Sequence, residues 1–79
     1  MGAAHTPPDR SDFLAVHQAA ARRDLGALLG MLERLGGGEE ADVVRIALRG
    51  GVDYDVAVAE VQREVERRMS RLLRDEPER

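Results

Sequence analysis

Apolar residues recur at helical spacing in three stretches of this chain, and runs of glycine separate them. The clearest stretch is residues 53–74, DYDVAVAEVQREVERRMSRLLR. Tyr54, Val58, Val61, Val65, Met69 and Leu72 fall on one stripe, with Val56 and Leu73 alongside and charge over most of the rest. Steps of three and four residues gather such a set on one side of an α-helix, and neither Gly nor Pro interrupts it. A helix of this length runs about 33 Å. On its outer face, Glu60 with Arg63 and Glu64 with Arg67 and Arg68 are acid-then-base pairs worth ~0.2–0.5 kcal/mol each.

Residues 12–35, DFLAVHQAAARRDLGALLGMLERL, carry the same period. Leu14, Ala21, Leu25, Leu28, Leu32 and Leu35 form the stripe, widened by Phe13, Val16 and Leu29. Ser11 or Asp12 is the expected N-cap, with Asp9 a weaker choice. Gly26 and Gly30 each cost about 1 kcal/mol relative to Ala inside a helix. Asp24 is placed to cap a second helix, which would divide the segment into 12–22 and 24–35. The unbroken periodicity favours one helix, bent near residues 23–26. The triple glycine 36–38 ends it, because glycine adopts the left-handed C-cap conformation freely.

Residues 39–49, EEADVVRIALR, read as a short helix with three acids at its positive dipole end and Arg49 at its negative end. Val43, Val44, Ile46, Ala47 and Leu48 make it apolar over much of its circumference, so burial between neighbours is expected. Gly50 and Gly51 stop it, Val52 is placed to pack beside the turn, and Asp53 caps the long helix. Around these elements lie a leader, residues 1–11, with Pro7 and Pro8, and a tail, residues 75–79, broken by Pro77. The expected architecture is therefore all-α, a three-helix arrangement in one domain, 12–74. It has a long first helix, a short buried second helix and a long amphipathic third.

Size changes this picture. The chain has 79 residues and no cysteine, and a core of this size rarely supplies more than ~3–5 kcal/mol. Disulfides and thiolate metal sites are excluded, and only His5 and His17 offer imidazole. No metal and no cofactor is expected. The expected extra source of stability is association into a helical-bundle dimer or with another chain. An 11-residue neighbour leaves part of the third helix uncovered, and either the first helix, if antiparallel to it, or a second copy of the third helix could cover that part. The third helix's stripe of Tyr54, Val58, Val61, Val65, Met69 and Leu72 is then a candidate interface. So is the bare strip at Gly26 and Gly30, where another backbone can approach.

Twelve arginines, no lysine and fifteen acids give a net charge of −3. A negative chain is a poor match for nucleic acid or anionic membrane, which both need a positive field. Arginine to the exclusion of lysine, with much Ala, Gly and Val, resembles the codon bias of a high-GC bacterium, so a bacterial source is expected. No apolar run approaches the ~20 residues of a membrane span, and no basic-then-apolar signal pattern opens the chain, so the cytoplasm is expected. One Phe, one Tyr and no Trp leave little to stack bases, flavins or sugars.

The chemistry is mostly exclusion. Ser11 and Ser70 have no histidine marking them as activated nucleophiles. Length, helicity and acidity suit an acyl carrier protein, but the second helix opens GGGEEADVV without the serine that family modifies. The carboxylates sit at helix starts and on polar faces, where capping and solubility account for them, so no catalytic residue is assigned and the chain is read as a non-enzyme. Arg63, Arg67, Arg68, Arg71 and Arg74 are candidate contacts for an anion or an acidic partner. An enzyme binding an anionic substrate through arginine is the weakest of the functional readings.

Two resemblances bear on function. Residues 42–61, DVVRIALRGGVDYDVAVAEV, resemble the helix-turn-helix of bacterial repressors, with Ala47, then Gly51 and Val52, then a second helix. That resemblance implies a DNA-binding regulator, although the groove-facing positions would be Asp53, Asp55 and Glu60, which repel phosphate. His17-Gln18-Ala19-Ala20, Asp24-Leu25, Leu28 and Leu32-Glu33 are similar to the helix pair of an ankyrin repeat, which implies a break between two helices. Arg23 stands where that family has glycine, and no second copy follows. The leading functional expectation is a small non-catalytic protein–protein interaction module, such as an adaptor, regulatory subunit or docking protein. Its partner is itself or another chain, and neither nucleic acid nor a membrane is expected as partner.

Overall fold

A computed structural model of the chain describes residues 8–75. It contains four helices: α1 (Arg10–Ala21), α2 (Leu25–Arg34), α3 (Gly38–Arg49) and α4 (Tyr54–Asp75), with no strand among the described residues. The all-α expectation holds. The three-helix expectation does not, because residues 12–35 form two helices instead of one. Most of the leader and tail, including His5 and Pro77, lies outside the described residues.

All three breaks between helices use one device. At the end of α2, Gly37 N–H donates to the Leu32 carbonyl at 2.8 Å and Gly36 N–H to Glu33 at 3.0 Å. At the end of α3, Val52 donates to Ala47 and Gly51 to Leu48, both at 3.1 Å. These are Schellman caps, and each needs one residue with positive φ. Gly36 (φ 86°) and Gly51 (φ 102°) supply it. At the end of α1, Asp24 donates to Ala19 at 2.9 Å and Arg23 to Ala20 at 3.0 Å. Here the positive-φ residue is Arg23, at 58°.

The break is hard to read from sequence because the left-handed residue carries a side chain. For an L-residue that conformation costs roughly 1–2 kcal/mol. Contacts from far along the chain offset it. The Tyr54 hydroxyl donates to the Arg23 carbonyl at 2.7 Å and accepts from Leu25 N–H at 3.3 Å. The Arg23 guanidinium reaches Asp55 at 2.8 Å. Asp24 then caps α2 through Ala27 N–H at 3.1 Å, as the split reading required. Arg23 also occupies the place of the ankyrin glycine, and among the described residues it is the only non-glycine with positive φ.

The start of α1 is a second correction. Asp9, not Ser11 or Asp12, is the N-cap. Its carboxylate accepts from Asp12 N–H at 3.2 Å, and that of Asp12 accepts from Asp9 N–H at 2.9 Å. This is a capping box with Asp in the place usually held by Glu or Gln. The helix consequently begins inside the expected leader.

Folding back at Arg23 puts α2 at the centre. The core is built from Val16 and Ala19 of α1, Leu25, Leu28, Leu29 and Leu32 of α2, Ala41 of α3, and Ala57, Val58, Val61, Val65 and Met69 of α4. No polar or charged side chain among the described residues is buried. Both α2 and α4 pack against all three other helices, whereas α3 touches α2 and α4 but not α1. The expectation that α3 is buried is overturned: only Ala41 is, and Val43 and Ile46 are 64% and 62% exposed. Val52 is exposed as well. No helix among the described residues is long and apolar enough to cross a membrane.

Candidate interaction surface

The surface centres on the α3–α4 hairpin. After the Gly50–Gly51 turn, the Asp53 carboxylate caps α4, accepting from Asp55 N–H at 2.9 Å and Val56 N–H at 3.3 Å. The two helices then run side by side and antiparallel. Arg68 Nη2 meets Glu40 at 2.9 Å, two turns or more from the hairpin bend on both helices, a contact that only a small crossing angle permits. A DNA-reading helix-turn-helix instead crosses its two helices at ≈ 90–120°.

Arg68 holds this arrangement together. Its Nε donates to Glu64 at 2.9 Å, its Nη2 to Glu40, and its Nη1 reaches the Leu35 carbonyl at the end of α2 at 3.4 Å. Only 19% of its side chain is exposed. Arg45 ties α3 to α2 through Glu33 at 2.8 Å and to its own helix through Asp42 at 3.0 Å. The hydrogen bond that Arg45 donates to Glu33 is the main reason its pKa is raised, with Asp42 adding to it.

Between α3 and α4 lies an open groove. Leu32, Val44 and Val61 floor it, Val43 stands at its α3 edge, and Glu39, Glu40, Glu60, Glu64 and Arg67 surround them. Val43 and Ile46 lie one turn apart on the solvent side of α3, in line with Glu39 and Gly50. Val56 lies one turn before Glu60 on α4. The sequence reading did not assign these exposed valines and isoleucine to a surface. A signal was present: α3 has two apolar stripes, 41/44/48 and 43/46, and one helix with two neighbours can bury only one of them.

The predicted residues separate into three groups. Val58, Val61, Val65 and Met69 are buried within this chain, in the core shared with α1 and α2. The stripe expected as an interface is thus covered within the chain at these four positions, because α1 and α2 both pack on α4. Tyr54 is half-exposed and serves as the clamp on Arg23 and Leu25. Leu72 is exposed beside a second groove formed by Val16, Met31, Leu35 and Met69, with Arg34 at its edge.

Gly26 and Gly30 form no close crossing inside the chain. A Cβ on either would meet nothing nearer than 3.8 Å. Of the arginines, Arg68 is engaged internally, Arg67 binds Glu64, and Arg63 reaches Glu60 at 3.6 Å. Arg71 and Arg74 are exposed near the end of α4. His17 reaches Glu66 at 3.6 Å and links α1 to α4. Among the described residues no three His, Asp or Glu side chains are grouped to hold a metal ion. No protein-family model, curated protein or solved structure matches this chain.

Proposed function

We propose that this protein is a non-catalytic protein–protein interaction module and that its docking surface is the solvent face of the α3–α4 hairpin. One observation carries the reading. Val43 and Ile46 hold adjacent turns of a folded helix with more than half of each side chain in water, beside a groove with an apolar floor and a charged rim. Protein interfaces have that composition, an apolar centre within a polar border. Burying a Val or Ile side chain is worth ≈ 1.5–3 kcal/mol, and this fold leaves both gains unused. The core itself is complete without them, so the face is available to a second chain.

Site-specific photo-crosslinking in the source cells tests this. A photoreactive residue at Ile46 should yield a discrete adduct, and one at Leu14, an exposed apolar residue of α1, should not. Val43→Ser should abolish the Ile46 adduct while helicity is unchanged. Equal labelling from the two positions would overturn the reading.

A further inference from the structure

Resting on that reading, we infer that the occupant of the hairpin face is a second copy of this chain, docked with its α4 antiparallel to the first. Exposed positions form a row along α4 from its cap Asp53, reached by steps of three and four: Asp53, Val56, Glu60, Arg63, Arg67, Arg71 and Arg74. Such steps keep these residues on one side of the helix. Glu60 and Arg67 of this row border the groove beside Val43. The row is thus continuous with the apolar stripe of α3.

Charge along the row is divided. Residues 53–60 contain Asp53, Asp55 and Glu60 and no base, and residues 67–74 contain four arginines and no acid. A parallel copy would set acid against acid and arginine against arginine. An antiparallel copy, on a two-fold axis between Arg63 and Glu64, sets Glu60 opposite Arg67 of the second copy and Asp53 opposite Arg74 of the second copy. Two-fold symmetry makes each pair twice, which is the self-complementarity that an isologous interface requires. Val43 lies close to this axis, since it stands beside Glu60 and Arg67. Val43 and Ile46 of both copies then border the seam and Val56 lies opposite Arg71 of the second copy, whose aliphatic stem can cover it, so that the apolar area supplies affinity and the charged row sets direction. The two hairpins together form a four-helix layer, with α1 and α2 of each copy outside it.

The same charge order suits the macrodipole of an isolated helix, so the decisive experiment is one the macrodipole does not influence. Molar mass is measured by light scattering behind a sizing column across a tenfold concentration range, for the full chain, Glu60→Arg, Arg67→Glu and an equimolar mixture of the two variants. The expected results are a dimer of the wild-type chain that weakens with added salt, a loss of roughly tenfold or more in association for each variant alone, and recovery in the mixture. Recovery follows because, once either charge is reversed, only a pair of unlike variants sets acid opposite base between positions 60 and 67. Both sites are exposed, and circular dichroism should give wild-type helicity for each.

A wild-type chain that stays monomeric throughout, or a mixture no stronger than its components, would overturn the second-copy assignment. An Ile46 photo-adduct with a mass other than twice that of the chain would then leave the docking surface standing with a different occupant. A dimer indifferent to both charge variants, to salt and to Ile46→Ser would place the contact elsewhere and overturn both readings.

Discussion

Helices α2 and α3 are nearly equal in length and both rich in Leu, Val, Ile or Met, yet the fold treats them oppositely. Four leucines of α2, Leu25, Leu28, Leu29 and Leu32, are buried, whereas α3 buries one alanine. The difference lies in neighbours. α2 is enclosed by α1, α3 and α4, and α3 meets only α2 and α4. Apolar content told how much surface each helix could hide, and the number of helices around it decided how much it did hide. A short helix with an apolar circumference and only two neighbours is left with a wet apolar stripe, and that stripe is the feature from which a function can be argued.

Substitutions in the two helices and the turns between them test this contrast. The largest effect is expected in α2. Leu28 is fully buried, and Leu28→Ala should cost about 2–5 kcal/mol, read as a fall in the urea midpoint. A value under about 1 kcal/mol would mean that α2 is not the centre of the core. Next comes the turn that joins the two helices. A Cβ at Gly37 would lie 2.5 Å from Leu32 Cδ1 and 3.1 Å from the Leu32 carbonyl oxygen. Because Leu32 is buried and has little room to move, Gly37→Ala should destabilise by about 1–3 kcal/mol.

The elbow that makes α2 a separate helix is held from α4. Tyr54→Phe removes the hydroxyl that serves both Arg23 and Leu25, at an expected cost of about 1–2 kcal/mol. Faster amide exchange at Leu25 would locate the loss at the elbow, and unchanged protection there would show that the hydroxyl does not hold it. Arg23→Gly acts on the same turn with the opposite sign. It relieves the left-handed strain and forfeits an exposed ion pair, so the melting temperature should rise, by an equivalent of up to ~1 kcal/mol. A fall would mean that the contact with Asp55 outweighs the strain. The smallest effect belongs to α3. Ile46→Ser should change the stability of the monomeric chain by no more than ~0.5 kcal/mol, measured at dilution, while weakening association.

Much of the fold was legible because it is written in local pattern. Glycine after a Leu-rich or Val-rich run marked the ends of α2 and α3, and Asp53 marked the start of α4. The stripe Val58, Val61, Val65 and Met69 was correctly read as one apolar face. The burial of that face by this chain, and not by another, was not legible, because periodicity names a face without naming what covers it. The candidate surface was less legible still. The exposed stripe on α3 looked like the most hidden part of the molecule, and Arg68, read as a contact for a partner, binds Glu40, Glu64 and the end of α2.

The sequence alone determined that α3 and α4 are helical, which side of α4 is apolar and where glycine must permit a reversal, since each follows from interactions within a few residues. The tertiary structure decided two things. It set the break at Arg23, a left-handed arginine held by Tyr54 and Asp55 some thirty residues away. It also chose which stripe of α3 faces the core, Ala41 with Val44 and Leu48 rather than Val43 with Ile46. Both are competitions between local alternatives of nearly equal energy, and contacts distant in the chain carry the deciding kilocalories.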